Sequence, residues 1–452
     1  MTAGMALFIL DALIVALTWP FTMWFTLHGV DQDPAWLQAL LFAVLNLVFL
    51  YALGFYRRDS LSDTFRASGR APLSVAIGAI AASLISIVFG LPLSARFVIA
   101  AMICFAASAM LARAIFLLLR RNALFRPRLL VIGAGQRAWD LLWILQSQGR
   151  HLQYDVTFVH EESFGAIDPR LAADPANHII TASGNLLDVA DRIFAEQIVV
   201  APDERRGMAL ESLITCRTAG YPVYQYMTFL EKEAGRIDIK RLDVDWVLYS
   251  EGFSIGPLGR GIKRIVDIVV SLLILVCTLP LLLPAMAAVW LGDRGPVFYR
   301  QERVTLGGRK FRIFKLRTMR TDAEKGGAVW AAAADSRVTS TGKFLRRSRI
   351  DELPQLLNVL KGDMSLVGPR PERPEFIEDL AAQLPLYRER HAVRSGLTGW
   401  AQINYPYGAS LDDARSKLSY DLYYVKKFGF FFDLLIIMQT LRVVIWPGAG
   451  VR

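Results

Sequence analysis

Residues 263–291 read KRIVDIVVSLLILVCTLPLLLPAMAAVWL. How this stretch meets a membrane decides the fold of the second half of the chain. Its apolar run is long enough to cross a bilayer, for which about 20 helical residues suffice. Two features oppose a crossing. Basic residues flank it on both sides, Lys263 and Arg264 before and Arg294, Arg300 and Arg303 after. Pro280 lacks a backbone donor and its ring collides with the preceding turn, so the helix bends or breaks there. A helix-break-helix hairpin that enters and leaves by one face accommodates both facts, provided protein covers the freed backbone groups. An ordinary crossing helix with a proline kink is the competing reading. The expectation is a re-entrant helix over about 263–291 with its break at Pro280.

Upstream, four apolar stretches of bilayer length stand out: about Met5–His28, Trp36–Tyr56, Leu73–Leu91 and Phe97–Leu119. They predict a four-helix transmembrane bundle over 1–122. The first is too long for a signal peptide and lacks a basic start and a small-residue cleavage site. The first loop holds Asp31 and Asp33 and no basic residue. The second holds Arg57, Arg58, Arg66 and Arg70, and the fourth stretch is followed by Arg120, Arg121, Arg126 and Arg128. Basic loops stay in the cytoplasm, so both ends of the bundle are expected there. A full crossing by 263–291 would then export a strongly basic domain. Trp19, Trp24, Trp36, Tyr51 and Tyr56 fall where aromatic belts sit. Asp11 and Arg113 are the charges within these stretches, read as helix-packing or snorkelling groups.

Composition agrees with a membrane protein. The 452 residues are 54% hydrophobic, with a mean hydropathy of +0.34, high for a soluble chain. The net charge of +10 admits nucleic acid, anionic lipid or a phosphate-rich substrate. Cys104, Cys216 and Cys277 show neither metal-ligand spacing nor a disulfide framework, which points to a reducing compartment.

Between these regions, residues 123–250 predict a Rossmann-like α/β domain. Arg128–Ile132 is a buried-strand pattern that runs into Gly133-x-Gly135-x-x-Ala138 and then a helical pattern through Leu141, Leu142, Ile144 and Leu145. Further strands are expected at Tyr154–His160, His178–Ile180 and Gln197–Ala201, and strand/helix alternation implies a parallel sheet. Gly133 and Gly135 mark a possible nucleotide turn with phosphate at the helix N-terminus. The fingerprint wants an acid ending the second strand. Here that strand ends in His160, followed by Glu161 and Glu162. A tight turn in a regulatory or oligomerising domain, with a homodimer formed through it, is the other reading.

Chemistry-capable residues concentrate between 296 and 372. Phe311, Ile313 and Leu316 alternate as a short strand does, with Lys310, Arg312, Lys315 and Arg317 as a cation cluster suited to phosphate or to lipid head groups. Farther on, Arg346-Arg347-Ser348-Arg349-Ile350 precedes Asp351-Glu352-Leu353-Pro354-Gln355. Leu353, Leu356, Leu357 and Leu360 make one helical stripe. Pro354 fits only a first turn, so Asp351 and Glu352 stand at a helix start, Asp351 on the polar side with Gln355 and Asn358. A helix N-terminus favours carboxylate and phosphate alike. Adjacent side chains diverge by about 100°, so the two acids suit different tasks, one a nucleophile and one a magnesium ligand. An ordinary acidic first turn is the plain alternative. Gly368-Pro369-Arg370-Pro371 is a rigid turn presenting one guanidinium suited to bidentate phosphate. Phe428–Ile445 is apolar but interrupted by Asp433 and Gln439, which reads as an interfacial helix.

Residues 263–445 resemble the bacterial sugar transferases that begin exopolysaccharide and O-antigen synthesis, the monotopic polyprenyl-phosphate hexose-1-phosphate transferases. The matching pieces are Lys263-Arg264-x-x-Asp267, Gly295 through Arg303, Phe311 through Met319, Leu345 through Pro371, and Gly396 through Asn404. The N-terminal helices and the α/β middle match the long form of this family. The resemblance implies an α-rich monotopic catalytic domain over 251–452 on the cytoplasmic face of the bacterial inner membrane. It implies that Asp351 attacks the β-phosphate of a UDP-sugar and releases UMP, and that undecaprenyl phosphate then takes the sugar phosphate from the aspartyl intermediate. Glu352 is implied as the Mg2+ ligand, and Arg346 and Arg370 as phosphate contacts. Arg303, Lys315, Arg317 and Arg347 complete the candidate phosphate-binding set. The expected partners are therefore a UDP-sugar, undecaprenyl phosphate and the bilayer, and no nucleic acid. Two departures stand out. Leu279 replaces a serine that some members carry before the break proline, and Val304-Thr305 replaces the more usual Val-Gly. A membrane-anchored NAD-dependent nucleotide-sugar oxidoreductase or epimerase is the rival, using Gly133 and Gly135. Glucose or galactose is the expected sugar, although no residue legibly reads its hydroxyls.

Overall fold

A computed structural model describes residues 7–16, 36–53, 55, 71–88, 95–121, 128–147, 154–181, 185–204, 210–241, 252–321, 323, 337–405, 408 and 410–445. The residues on which the expected orientation rests (Asp31, Asp33, Arg57, Arg58, Arg66, Arg70 and Arg126), together with Trp19, Trp24 and Tyr56, lie outside these. The chain divides into two compact units, 1–234 and 235–452.

The first unit begins with helices Leu7–Ala16, Trp36–Ala52, Ala71–Val88 and Ala95–Arg121. Their exposed faces are apolar, as at Ile80, Leu84, Ile99 and Ile103. Among the described residues, two helices are long and apolar enough to cross a membrane: Phe97–Ile115, within the fourth of these, and Pro257–Asp293 of the second unit. Asp11 and Arg113 find each other. Arg113 Nη1 lies 3.2 Å from Asp11 Oδ1 with both side chains buried. It also donates to the Ala109 carbonyl at 2.7 Å, and the guanidinium sits 5.0 Å over the Phe55 ring. The pair thus joins the first and fourth helices. Removing one partner alone would leave a buried charge uncompensated, at a cost of about 3–5 kcal/mol.

The same unit carries a five-stranded parallel sheet of β1 (Arg128–Ile132), β2 (Asp155–His160), β3 (His178–Thr181), β4 (Gln197–Val200) and β5 (Val223–Gln225), in the order β3-β2-β1-β4-β5. Central β1 pairs with β2 and β4, Leu129 opposite Val156 and Gln197. Leu129 to Ile132 are all buried, as expected of a strand covered on both faces. The order is that of the first five strands of a doubly wound dinucleotide-binding sheet.

Gly133 and Gly135 do form the strand-to-helix turn. Gly133 has φ +106°, and a Cβ there would come within 2.8 Å of the Ala201 carbonyl. The helix Gln136–Ser147 follows. Its N-terminal amides are not open to a ligand phosphate, however. Asp203 Oδ2 accepts from Gln136 N at 2.6 Å, and Oδ1 from Arg137 N at 2.9 Å. A carboxylate of the domain itself occupies the place that the nucleotide reading gave to phosphate, because an acid at the end of β4 serves the same amides and dipole.

The second unit is organised on one helix, Pro257–Asp293. It runs through Pro280 and Pro284 without interruption, so the chain does not break where the sequence predicted. The Thr278 hydroxyl donates to the Ile274 carbonyl at 2.7 Å, and such back-bonding bends a helix while leaving it continuous. Both halves of this helix pack on the same unit. At its start, Arg264 donates to the carbonyls of Val359 and Leu360 at 2.6 and 2.7 Å. Asp267 Oδ1 accepts from Ser365 Oγ and Leu366 N at 3.0 and 3.1 Å. Lys263 is ion-paired to Asp433. Beyond the prolines, Leu282, Ala285 and Val289 are buried with Leu316 and Leu345.

On this helix lie an antiparallel hairpin of β6 (Phe298–Val304) and β7 (Lys310–Leu316), in register from Phe298↔Leu316 to Val304↔Lys310. Helices Ser340–Ser348 and Gln355–Lys361 follow. A parallel pair comes next, β8 (Ser365–Val367) with β9 (Gly396–Thr398). Helices Leu411–Lys427 and Phe430–Ile445 close the unit. Phe311, Leu356, Val359, Val367, Tyr424 and Ile436 share its core. Asp433, which makes the last helix too polar for a crossing, is buried against Lys263 and accepts from the Tyr424 hydroxyl at 2.8 Å.

Candidate active site

The Asp351-Glu352 pair sits in a tight helical turn, Ile350–Glu352, between two helices. Thr339 caps the first of them by accepting from Gly342 N at 2.9 Å. Arg349 ends it in a left-handed conformation (φ +59°), a position where the chain gives no glycine to betray the turn. Pro354 then stands immediately before Gln355–Lys361, as its fixed φ prescribes.

The side of the helix shared by Asp351, Gln355 and Asn358 faces inward: they are 7%, 3% and 0% exposed. The leucine stripe is correspondingly off. Leu356 is buried with Val359, whereas Leu357 is exposed. Asn358 explains the inversion. It donates to the Arg312 carbonyl at 2.8 Å and accepts from Phe314 N at 3.0 Å, so a polar side chain is satisfied by the backbone of β7. A similar correction applies to the cation cluster. Lys315 shares a strand face with buried Phe311 and Ile313 and turns inward, while Lys310 and Arg312 are exposed.

The two acids are in different electrostatic states. Glu352 Oε1 lies 3.0 Å from Arg370 Nη2 and 3.3 Å from Lys315 Nζ, and Oε2 lies 3.6 Å from Arg349 Nη1. Burial pushes its carboxyl upward, but the charges of Arg370, Lys315 and Arg349 outweigh burial and hold it well below the usual range. Burial lowers Lys315, partly offset by Glu352. Asp351 goes the other way. Burial first, then the charge of Glu352, push it up to about 6, against the opposing pull of Lys315, Arg346 and Arg349. Its Oδ1 is buried with no hydrogen-bond partner, and so are Gln355 Nε2 and Gln402 Nε2. Buried polar atoms are normally satisfied, so the Asp351 oxygen stands out as a buried acceptor that no donor of the protein meets.

The remaining candidates divide. Arg370 also donates to Gln402 Oε1 at 3.3 Å. Its carbonyl accepts from Arg390 Nη2 at 3.0 Å, and Arg390 is paired in turn with buried Asp421 at 2.7 Å. Gly368 precedes it in close contact with the next strand: a Cβ there would meet the Arg394 carbonyl at 2.2 Å. Arg346 Nε donates to Thr318 Oγ1 at 2.8 Å. Arg346 and three further candidates are not joined to the acids by hydrogen bond or ion pair. Arg303 contacts Gln301 at 2.7 Å and Glu372 at 3.9 Å. Arg317 pairs with Asp293 at the end of the long helix. Arg347 is exposed. Arg349, Gln402, Arg390 and Asp421 are the participants that the sequence reading did not single out.

Among the described residues, no three His, Cys, Asp or Glu side chains group to hold a metal. Magnesium does not require such a cage, since it binds through one or two carboxylates and completes its shell with water and substrate phosphates. The buried, partnerless Asp351 oxygen beside an ionised Glu352 fits that donor set.

Comparison with known proteins places this geometry in a family. The bacterial sugar transferase family matches residues 258–447, which lie within the second unit, 235–452. The UDP-N-acetylgalactosamine-undecaprenyl-phosphate N-acetylgalactosaminephosphotransferase of Aeromonas hydrophila is 38% identical over 282 residues, 62% of this chain and 66% of that protein. A putative undecaprenyl-phosphate N-acetylgalactosaminyl 1-phosphate transferase of Bacillus subtilis is 53% identical over 130 residues, 29% of this chain and 73% of that one. The UDP-glucose:undecaprenyl-phosphate glucose-1-phosphate transferase of Caulobacter vibrioides is 41% identical over 192 residues, 41% of this chain and 72% of that one. The chain belongs to the bacterial sugar transferase family and is an enzyme of the transferase class.

Proposed function

We propose that this enzyme moves a sugar 1-phosphate from a UDP-sugar to undecaprenyl phosphate in two steps through Asp351. The observation that carries the reading is the buried Asp351 Oδ1 with no partner, next to a carboxylate held by three cations. In the first step Asp351 attacks the β-phosphorus, the bond from that phosphorus to the UMP oxygen breaks, and UMP leaves with the electron pair. In the second, a phosphate oxygen of the lipid attacks the acyl phosphate, and Asp351 leaves as carboxylate. No net proton is taken up or lost at Asp351. Both substrates are anions, and splitting the transfer lets one set of cations, Arg370, Lys315 and Arg349, serve each in turn. A magnesium ion held by Glu352 would supply further charge neutralisation on the phosphoryl oxygens. The family relatives named above act on N-acetylgalactosamine or glucose derivatives, so UDP-N-acetylgalactosamine joins UDP-glucose and UDP-galactose as donors to test.

Purified protein is expected to exchange labelled UMP into the UDP-sugar it uses, with no lipid present. This exchange should fall off below pH 6, where Asp351 becomes protonated. A wild type that releases UMP only when lipid is added would overturn the two-step route.

The placement of the long helix supports a monotopic arrangement at the cytoplasmic face of the inner membrane. Its 37 residues span about 55 Å at 1.5 Å each. Both halves pack on one unit, while Ile265, Val269, Leu272, Leu273 and Val276 on its outer face are exposed. A full crossing would put those halves on opposite sides of the bilayer. The four N-terminal helices would cross with both ends in the cytoplasm. A single cysteine at Glu302, with Cys104, Cys216 and Cys277 replaced, should react with an impermeant reagent only after the inner membrane is opened. Labelling in intact spheroplasts would reject this topology. The rival NAD-dependent oxidoreductase is disfavoured by Asp203, which takes the amides its cofactor phosphate would need.

A further inference from the structure

A second cationic site lies at the far end of the helix that starts at the acid pair. It is a cavity of about 520 Å³ whose lining includes Arg264, Arg309, Lys361, Asp363 and Arg394. Asp351 precedes the helix Gln355–Lys361 and Gly362 ends it. At 1.5 Å per residue, the two sites are on the order of 15 Å apart. The hairpin separates them in the same sense, with its turn (Leu306 and Arg309) at the cavity and Lys315, near its open end, at Glu352.

Four cations and one acid give the lining a formal excess of three positive charges. Asp363 is shared by Arg309 and Lys361, each at 3.2 Å, so it neutralises only part of the cluster. Arg264 is fixed by the two carbonyls it caps. Arg394 is exposed, while its neighbour Ser395 is anchored to Val304 and Thr305. Position along the long helix decides what such a cavity would meet. Up to Arg264 the helix carries its cations, Arg260, Lys263 and Arg264, beside exposed Leu258 and Ile262; from Ile265 to Leu291 its exposed residues are uncharged, as at Ile268, Val269 and Leu272. A change of this kind marks the level of lipid head groups, where basic residues attract anionic lipid.

We propose that this cavity binds the phosphate of an anionic phospholipid, as an anchoring site separate from the acid pair. The proposal rests on the membrane placement of the long helix and not on the reaction assigned to Asp351. The test titrates the purified full-length protein in neutral detergent with dihexanoyl-phosphatidylglycerol, dihexanoyl-phosphatidylcholine and inorganic phosphate, and follows the melting temperature. The glycerol lipid is expected to raise the melting temperature by several degrees, with no shift from the choline lipid or from phosphate. Arg394→Glu combined with Lys361→Ala takes the lining to zero formal charge and leaves Arg309 on Asp363. This variant should melt like the wild type without lipid and need at least tenfold more glycerol lipid for the same shift. An equal shift from inorganic phosphate would overturn the lipid as occupant. A lipid shift that survives in the variant, or no shift in the wild type, would overturn the site.

Discussion

Asp351→Asn is expected to abolish sugar-phosphate transfer and, at the same time, to raise the melting temperature. The carboxyl is raised from 3.8 to about 6, chiefly by burial and then by Glu352. The folded protein therefore binds this proton more tightly than the unfolded chain does. Ionising the group costs stability in full above pH 6, and the cost disappears as pH falls towards 4. Two units correspond to about 3 kcal/mol. Asparagine keeps the shape and removes the charge, so a gain of a few degrees is expected near pH 7.5 from thermal unfolding in detergent. UMP release and UMP exchange should both drop by at least about 10^4-fold, as for loss of a nucleophile. A variant that is inactive and also less stable would mean that Asp351 serves as a structural cap. One that still exchanges UMP would mean that the nucleophile lies elsewhere.

Glu352→Gln should have the opposite effect on stability one residue away. The Glu352 carboxyl is depressed by Arg370, Lys315 and Arg349. Its contribution to stability is thus present above the unfolded carboxyl pKa and is lost only as pH falls through its lower folded value. At neutral pH, deleting the charge leaves Lys315, Arg370 and the exposed Arg349 without their shared anion; solvent screens part of this, and the cost is about 1–3 kcal/mol. Turnover should fall by about 10^2–10^3-fold, the scale of removing one preorganised electrostatic group. A further readout separates this from simple unfolding. Glu352 helps to raise Asp351, so the acid limb of the remaining activity should move below pH 6. An unmoved limb would show that the two carboxylates are not coupled.

The sequence made legible those features that depend on neighbours along the chain. The strand patterns at Arg128, Tyr154, His178 and Gln197 correspond to β1 to β4, whereas three-residue β5 was too short to carry a pattern. Pro354 placed the acid pair at a helix start. Which side of that helix faces the core was misread, because a helical wheel counts Asn358 as polar surface when β7 satisfies it completely. Lys315 and Arg317 were read with Lys310 and Arg312 as one cation cluster, yet each turns towards an acid that is remote in sequence. The Arg370 carbonyl is held by Arg390, which Asp421 fixes. No spacing rule announces such a relay, because it exists only once the chain has closed on itself.

The turn at Gly133 carries a different lesson. A domain that waits for a nucleotide has a stability that rises and falls with the supply of that nucleotide. Here the anion at the helix start is Asp203, delivered at the end of β4 each time the chain folds. The sheet is in effect permanently liganded, and metabolite levels have no hold on it through this turn.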